Sequence, residues 1–85
     1  MVTKEMKVQI KDGLNGATVA MFIQEASQFD SSIHLLHKDK NVNAKSIMGM
    51  MTLNVAKGEE VSIQAEGTDE NAAITRIEQY LCCLQ

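Results

Sequence analysis

Three short stretches in which apolar and polar residues alternate place the strongest constraint on the fold of this 85-residue chain. Alternation with a period of two is typical of strands that bury one face and leave the other in water. The apolar positions are Met6, Val8 and Ile10, then Ile33 and Leu35, then Val61, Ile63 and Ala65. We predict a strand at each stretch and a short further strand around Val42, reached through the polar segment 37–41.

Between these stretches the apolar residues recur at helical spacing. Segment 16–27 is predicted to form an amphipathic helix with Asn15 as its N-cap. Its apolar positions are Val19, Phe22, Ile23 and Ala26. The last helix is predicted to begin with Thr68 as its cap and to carry Asp69 and Glu70 in its first turn, where the helix dipole favours acidic groups. Its predicted buried stripe consists of Ala73, Ile74, Ile77, Leu81 and Leu84.

With a short helix after residue 46, the predicted order of elements is β-α-β-β-α-β-α. A sheet that is apolar on one face needs helices to cover that face. We therefore predict an α+β open-faced sandwich, in which a four-stranded antiparallel sheet carries helices on one side and leaves the other side in water. Residues 1–85 are expected to form a single domain, because the chain contains no proline, repeat or linker.

Composition and charge narrow the classes of function. No apolar run is long enough to cross a bilayer, and Met1 is not followed by a basic and apolar leader, so a soluble, cytoplasmic protein with no membrane partner is expected. The formal charge of −3 argues against direct contact with nucleic acid, which requires a basic surface. Any partner is expected to be a protein.

The two cysteines are adjacent, Cys82 and Cys83, near the end of the last predicted helix. Neighbours on a helix point about 100° apart, which suits a structural disulfide poorly and indicates a reducing compartment. A soft-metal or redox pair would need a Cys-x-x-Cys spacing or a nearby histidine, and neither is present. No metal site and no cofactor are therefore expected.

Segment 43–51 contains the strongest candidate site. Ser46 is a preferred N-cap type for the short helix that follows, and Lys45 places a cation beside it. The next apolar residues, Ile47, Met48, Met50 and Met51, leave little polar surface on so short a helix, so part of that apolar area is expected to face solvent. Two interpretations stay open at this point: an ordinary cap of a core helix, which is the more common case, and a phosphorylatable interaction surface.

The order of elements, segment 43–51, the Asp12-Gly13-Leu14 approach to the first helix and the Glu66-Gly67-Thr68-Asp69 start of the last helix together resemble the HPr family. HPr is the small phosphocarrier of the bacterial sugar phosphotransferase system. The resemblance covers essentially the whole chain and implies an HPr-like open-faced β-sandwich. It also implies that Ser46 is phosphorylated by HPr kinase/phosphorylase.

The phosphocarrier motif of that family, Gly-Ile/Leu-His-Ala-Arg-Pro-Ala, reads Gly-Leu-Asn-Gly-Ala-Thr-Val at residues 13–19. Asn15 stands at the histidine position, and an amide nitrogen is not a nucleophile that could accept phosphoryl. Ala17 replaces the cation that would stabilise the transferred group, and Thr18 replaces the proline. Catalytic or phosphocarrier activity is therefore not expected. The remaining histidines, His34 and His37, are predicted to face solvent without a catalytic role.

A chain with the regulatory serine but without the carrier histidine resembles the regulatory, Crh-type branch of the family in Gram-positive bacteria. The resemblance implies a corepressor of catabolite control protein A, a LacI-type repressor, in carbon catabolite repression. The implied partner-binding surface consists of Lys45, Ile47, Met48, Met51, Asn15 and Ala17. Because Ala17 lacks the arginine's charge, weaker or redirected repressor binding is expected.

Two further possibilities stay open. The chain could instead be a phosphorylation-independent module that regulates a metabolic enzyme, or it could form a homodimer by exchange of the first strand.

Overall fold

The computed structural model describes residues 1–11 and 13–83. It contains four strands, three α-helices and a closing π-helical turn. In chain order these are β1 Val2–Lys7, α1 Ala17–Ser27, β2 Ser32–His37, β3 Lys40–Asn43, α2 Ile47–Met51, β4 Glu60–Glu66, α3 Glu70–Glu78 and the π-helical turn Gln79–Cys83. The predicted order of elements is confirmed.

The four strands form one antiparallel sheet in the order β1-β4-β2-β3. Its register aligns apolar residues across the strands: Met6 opposes Val61, and Leu35 opposes Ile63. All of these side chains are buried beneath the helices, where Phe22 of α1 and Ile77 of α3 also lie. The opposite face carries polar pairs. The predicted α+β open-faced sandwich is confirmed.

The first strand lies earlier in the chain than its pattern predicted. β1 leaves the ladder with β4 after Lys7, although Val8 and Ile10 remain buried. The backbone N–H of Val8 then donates to Glu59 O at 2.9 Å, and that of Gln9 donates to Leu81 O at 2.8 Å. The alternation of burial therefore continues past the strand, because new backbone partners hold this segment against the core.

The caps predicted for the first and the last helix are both wrong. α1 begins at Ala17, and its N-cap is Gly16 rather than Asn15. The hydroxyl of Thr18 instead accepts from the Asn15 N–H at 2.9 Å and donates to Gly13 O at 2.7 Å. This hydroxyl thus links both sides of the turn that precedes α1.

At α3 the N-cap position is occupied by Asp69, so the prediction of Thr68 as the cap is wrong. The Asp69 carboxylate accepts from the backbone N–H groups of Asp30 and Ser31 instead of capping its own helix. Glu70 Oε1 accepts from the Gly67 N–H at 3.1 Å. The turn is thus held by an acidic group one position inside the helix.

His37 is buried, which contradicts the prediction that it faces solvent in a connecting loop. It is the last residue of β2, 8% exposed, with Nε2 2.5 Å from Glu59 Oε2. His37 shares the inward face of β2 with Ile33 and Leu35, because β2 continues two residues beyond the apolar pattern. His34 lies half-buried on the open face and pairs across strands with Gln64.

The predicted stripe of the last helix is buried at Ala73, Ile74, Ile77 and Leu81, and Leu84 lies outside the described residues. The Cys82 thiol is half-buried and donates to Lys7 O at 3.2 Å. The Cys83 side chain is outside the described part of the chain, so the account of the cysteine pair stays a prediction. Among the described residues, no helix combines the length and apolar character that a membrane span requires.

Candidate functional site

Ser46 lies between β3 and α2 and is the N-cap of that helix. Its backbone is extended, with φ −100° and ψ 116°, and its Oγ accepts a hydrogen bond from the Gly49 N–H at 3.3 Å. Its carbonyl accepts from the Met50 N–H at 2.9 Å, which is the first bond of the helix. The predicted cap is confirmed, and it places a half-buried hydroxyl at the surface end of a five-residue helix.

The segment before Ser46 is fixed to the sheet. The Ala44 N–H donates to Ile33 O at 2.9 Å, and the Ala44 side chain is fully buried. Asn43 then accepts twice: its Oδ1 from the Lys45 N–H at 2.8 Å, and its carbonyl from the Ser46 N–H at 3.0 Å. These bonds hold the serine at one position relative to β2 and β3 rather than on an unrestrained loop.

The Lys45 side chain reaches the C-terminal end of α1. Its Nζ donates to Phe29 O at 2.6 Å, just beyond the C-terminal end of α1. A cation at this end of a helix is favourable because the last carbonyl groups of a helix lack partners within it. Lys45 therefore contributes to the site by joining segment 43–46 to the end of α1 through this hydrogen bond.

The outward side of α2 is strongly apolar. Met48 is 81% exposed, and Ile47 and Met51 are each 58% exposed, whereas Met50 is fully buried. Ile47 and Met51 are four residues apart, with Met48 between them, so the three share one side of the helix. The predicted exposure of apolar area is confirmed. Isolated apolar residues at a surface are ordinary, but a group of this size on one short helix is typical of an interaction site.

α1 packs against α2. At the start of α1, Asn15, Gly16 and Ala17 are exposed. Met21, one turn further along α1, is 56% exposed and was not among the residues predicted for the surface. Its absence from the apolar stripe of Val19, Phe22 and Ala26 is the signal that could have identified it, since a residue outside that stripe must point away from the core. We call the four exposed apolar residues of these two packed helices, Met21 on α1 and Ile47, Met48 and Met51 on α2, the methionine patch.

The turn at residues 13–18 is connected to the C-terminal part of the chain. The Tyr80 hydroxyl donates to Thr18 O at 2.8 Å, and its ring packs against Phe22 with 6.1 Å between centroids. Burial of the hydroxyl, and secondarily the negative charge of Glu25, raise the pKa of Tyr80. Tyr80 therefore remains a neutral donor that supports the start of α1.

The start of α1 carries few reactive groups. Residues 15–19 offer one amide and one hydroxyl but no imidazole or cation. Within residues 1–11 and 13–83, no group of three or more histidine, cysteine or acidic side chains is arranged to hold a metal ion.

Comparison with known proteins identifies the family. A family model described as the PTS HPr component phosphorylation site matches residues 2–82. The HPr-like protein Crh of Bacillus subtilis is 43% identical over 81 residues, which is 95% of each chain.

Solved structures agree with this assignment. The crystal structure of the phosphocarrier protein HPr from Bacillus anthracis superposes with a TM-score of 0.90 and 39% identity, covering 94% of this chain and 95% of that one. The crystal structure of Bacillus subtilis Crh, which is described as a domain-swapped dimer, superposes with a TM-score of 0.74 and 43% identity. The match covers 95% of this chain and 93% of that one. The chain thus belongs to the HPr family of the phosphotransferase system, with HPr-like Crh proteins among its relatives.

Proposed function

We propose that this chain is a non-catalytic regulatory protein of carbon catabolite repression, switched by phosphorylation of Ser46. The modifying enzyme is HPr kinase/phosphorylase, and the reader of the phosphorylated form is catabolite control protein A, a LacI-type repressor. The observation that supports this most directly is the position of Ser46, whose hydroxyl caps α2 beside the exposed Ile47, Met48 and Met51.

A phosphate on Ser46 would change this surface in a defined way. It adds a charge of about −1.5 to −2 and three strong acceptor oxygens at the oxygen atom that now accepts from the Gly49 N–H. The backbone on both sides of Ser46 is already hydrogen-bonded, so no large rearrangement is needed to present the phosphate. Basic groups of the repressor then bind the phosphate, and the methionine patch packs against its apolar surface.

The same proposal excludes phosphoryl transfer through Asn15. Covalent transfer requires a nucleophile, and electrostatic stabilisation by a nearby cation is the main contribution a protein makes to this chemistry. Asn15 supplies an amide, and Ala17 supplies no charge. We therefore infer that this chain is not an enzyme or a phosphocarrier and that it needs no cofactor. We further propose that it acts in the cytoplasm as a single domain.

The interface with the repressor differs from that of relatives with an arginine at the position of Ala17. Loss of one charged interfacial contact costs about 2–5 kcal/mol of binding free energy. Lys45 does not substitute for it in this geometry, because its Nζ donates to Phe29 O. The methionine patch, which includes Met21, therefore contributes a larger share of the binding free energy than in those relatives.

The test combines a kinase reaction with two variants of the serine. Ser46→Ala removes both the hydroxyl and the cap, whereas Ser46→Asn removes the hydroxyl but keeps a good N-cap. After incubation with HPr kinase/phosphorylase and ATP, intact-mass analysis is expected to show one phosphate on the native chain and none on either variant. Absence of phosphate on the native chain, or its presence on the Asn variant, would contradict the proposal.

A second candidate function follows from the exposure of the methionine patch in the unmodified protein. Met48 is 81% exposed without any phosphate, so the patch is available to a partner at all times. A metabolic enzyme could be regulated through it independently of phosphorylation. Equal binding of such an enzyme by the native chain and by Ser46→Asn would favour this function over the first.

Homodimer formation is a third element of the proposal. β1 lies at the end of the sheet and pairs only with β4, and its exposed Lys4 forms an ion pair with Glu78. Exchange of β1 between two copies would preserve these contacts in trans. Size-exclusion chromatography with light scattering is expected to show a dimer fraction, and a monomer at all concentrations would contradict it.

A further inference from the structure

The chain contains six methionines, and the structure divides them sharply by exposure. Met48 is 81% exposed, Met1 69%, Met51 58% and Met21 56%, whereas Met50 is fully buried and Met6 is 5% exposed. Met48, Met50 and Met51 belong to one five-residue helix, so residues close in sequence differ in access to solvent. A reagent that attacks methionine from solution would therefore distinguish the methionine patch from the core.

The chemistry at such a thioether is simple. A sulfur lone pair attacks one oxygen of hydrogen peroxide, an S–O bond forms, and the O–O bond breaks. The departing hydroxide takes up the remaining proton and leaves as water. The sulfur is oxidised to a sulfoxide and the peroxide is reduced, so access to the sulfur is the main requirement. The product is polar and chiral, and sulfoxide reductases reverse it.

We propose that Met21, Met48 and Met51 form a peroxide-reactive modification site that converts the methionine patch from an apolar into a polar surface while the fold is retained. The fold is retained because these side chains lie outside the core, whereas oxidation of Met50 would place a polar oxygen among buried apolar groups. The consequence for docking rests on the proposed function: oxidation opposes binding even when Ser46 carries its phosphate.

The first experiment measures the reaction itself. The folded chain is treated with hydrogen peroxide, and peptide mapping by mass spectrometry follows each methionine over time. Met48 is expected to react fastest, and Met1, Met51 and Met21 next, in line with their exposure. Met50 and Met6 are expected to react at least about tenfold more slowly, because they react only after local opening. Far-ultraviolet circular dichroism is expected to stay unchanged. Oxidation of Met50 as fast as Met48, or loss of the fold with the first oxygens, would overturn the proposal.

A second measurement follows the surface independently of any partner. Retention on an apolar chromatography resin is expected to fall after oxidation of the native chain. The triple variant Met21→Leu, Met48→Leu, Met51→Leu keeps an apolar surface without thioethers and serves as the matched control, with unchanged retention after peroxide. Equal losses in both proteins would place the effect elsewhere, for example at Met1, and would overturn the proposal.

The docking arm uses the phosphorylated chain and the repressor. Peroxide is expected to weaken binding of the native chain at least about tenfold and to leave the triple variant unaffected. Equal binding before and after oxidation would refute the regulatory consequence. If the unoxidised phosphorylated chain binds no repressor at all, the proposed function fails, and the mapping and retention measurements still decide whether the modification site exists.

Discussion

Asp69 and Ser31 are joined by two hydrogen bonds to one carboxylate oxygen: Asp69 Oδ1 accepts from the backbone N–H of Ser31 at 3.0 Å and from its hydroxyl. The other oxygen, Oδ2, accepts from the Asp30 N–H at 2.8 Å. Ser31 is fully buried, and Gly67 lies so close that a Cβ there would be 2.7 Å from Ser31 Cα. One carboxylate therefore joins the start of α3 to the segment leading into β2.

Removal of either the Ser31 hydroxyl or the Asp69 carboxylate is expected to destabilise the fold. Ser31→Ala deletes the hydroxyl donor and leaves both backbone donors in place, so we expect a loss of about 1–2 kcal/mol in the free energy of unfolding. Asp69→Ala removes the acceptor of all three bonds and is expected to cost more. Urea denaturation followed by circular dichroism measures both. An Asp69→Ala protein as stable as Ser31→Ala would contradict this account.

Stability is expected to fall in acid through Asp69 and Glu70. Hydrogen bonds from Ser31 and Asp30 lower the pKa of Asp69, and the Gly67 N–H, with the N-terminal ammonium, lowers that of Glu70. A lowered folded-state pKa contributes stability above the unfolded value, and this is lost as the pH falls through the folded value. We expect the decline below about pH 4. The double variant Asp69→Asn, Glu70→Gln should show a flatter thermal-stability profile there, and an identical slope would contradict the assignment.

Met48 and Met50 are expected to respond oppositely to the same substitution. Met50→Ala creates a cavity in the core and should cost about 2–5 kcal/mol of unfolding free energy. Met48→Ala, at a side chain that is 81% exposed, should change stability by no more than about 0.5 kcal/mol. The Met48 variant should nevertheless lose repressor affinity when phosphorylated. Strong destabilisation by Met48→Ala would show that the patch is part of the core.

Gly49 leaves the space around the Ser46 hydroxyl open. A Cβ at this position would lie 3.7 Å from Ser46 Oγ and 3.6 Å from Val42 Cβ, both ordinary contacts. Gly49→Ala should therefore fold and gain up to about 1 kcal/mol from helix propensity. Its methyl group would crowd a phosphate on Ser46, so phosphorylation by the kinase should slow. An unchanged phosphorylation rate in a stabilised variant would contradict the role assigned to this space.

Ala17→Arg tests the interface rather than the fold. Ala17 is exposed in the first turn of α1, so an arginine is accommodated at little cost in stability. If the missing charge weakens repressor binding, its return should tighten binding of the phosphorylated chain by about 30-fold or more. Ala17→Gln adds length without charge and is the matched control. Equal affinities for the two variants would show that charge at this position is irrelevant.

Periodicity in the sequence predicted the architecture because burial imposes it directly. One face of the sheet is covered by helices, so apolar residues alternate with polar ones along its strands, as at Ile33, Leu35 and Ile63. One side of α1 is covered by the sheet, so apolar residues recur at helical spacing, as at Val19, Phe22 and Ala26. The same reasoning failed at His37, where a polar residue occupies an inward position by pairing with Glu59. A pattern of apolar residues cannot reveal that a strand ends in a buried histidine whose ring nitrogen is paired with a carboxylate.

The helix caps were harder to predict because several polar residues compete for the same backbone groups. Asn15 and Thr18 lie three residues apart, and the Thr18 hydroxyl bonds to the backbone of both Gly13 and Asn15. Asp69 was correctly placed near the start of α3, but its long-range bonds to Asp30 and Ser31 depend on the tertiary fold. Ser46 was predictable as a cap because the partner of its hydroxyl, the Gly49 N–H, lies within the helix that it caps.

We propose that phosphate on Ser46 creates the binding site for the repressor. The most direct test is isothermal titration calorimetry of catabolite control protein A with the phosphorylated chain, the unmodified chain and kinase-treated Ser46→Asn. We expect measurable binding only for the phosphorylated chain, or binding at least about tenfold tighter than for the other two. Equal affinity for all three would contradict it and would assign this surface to a partner that binds without phosphate.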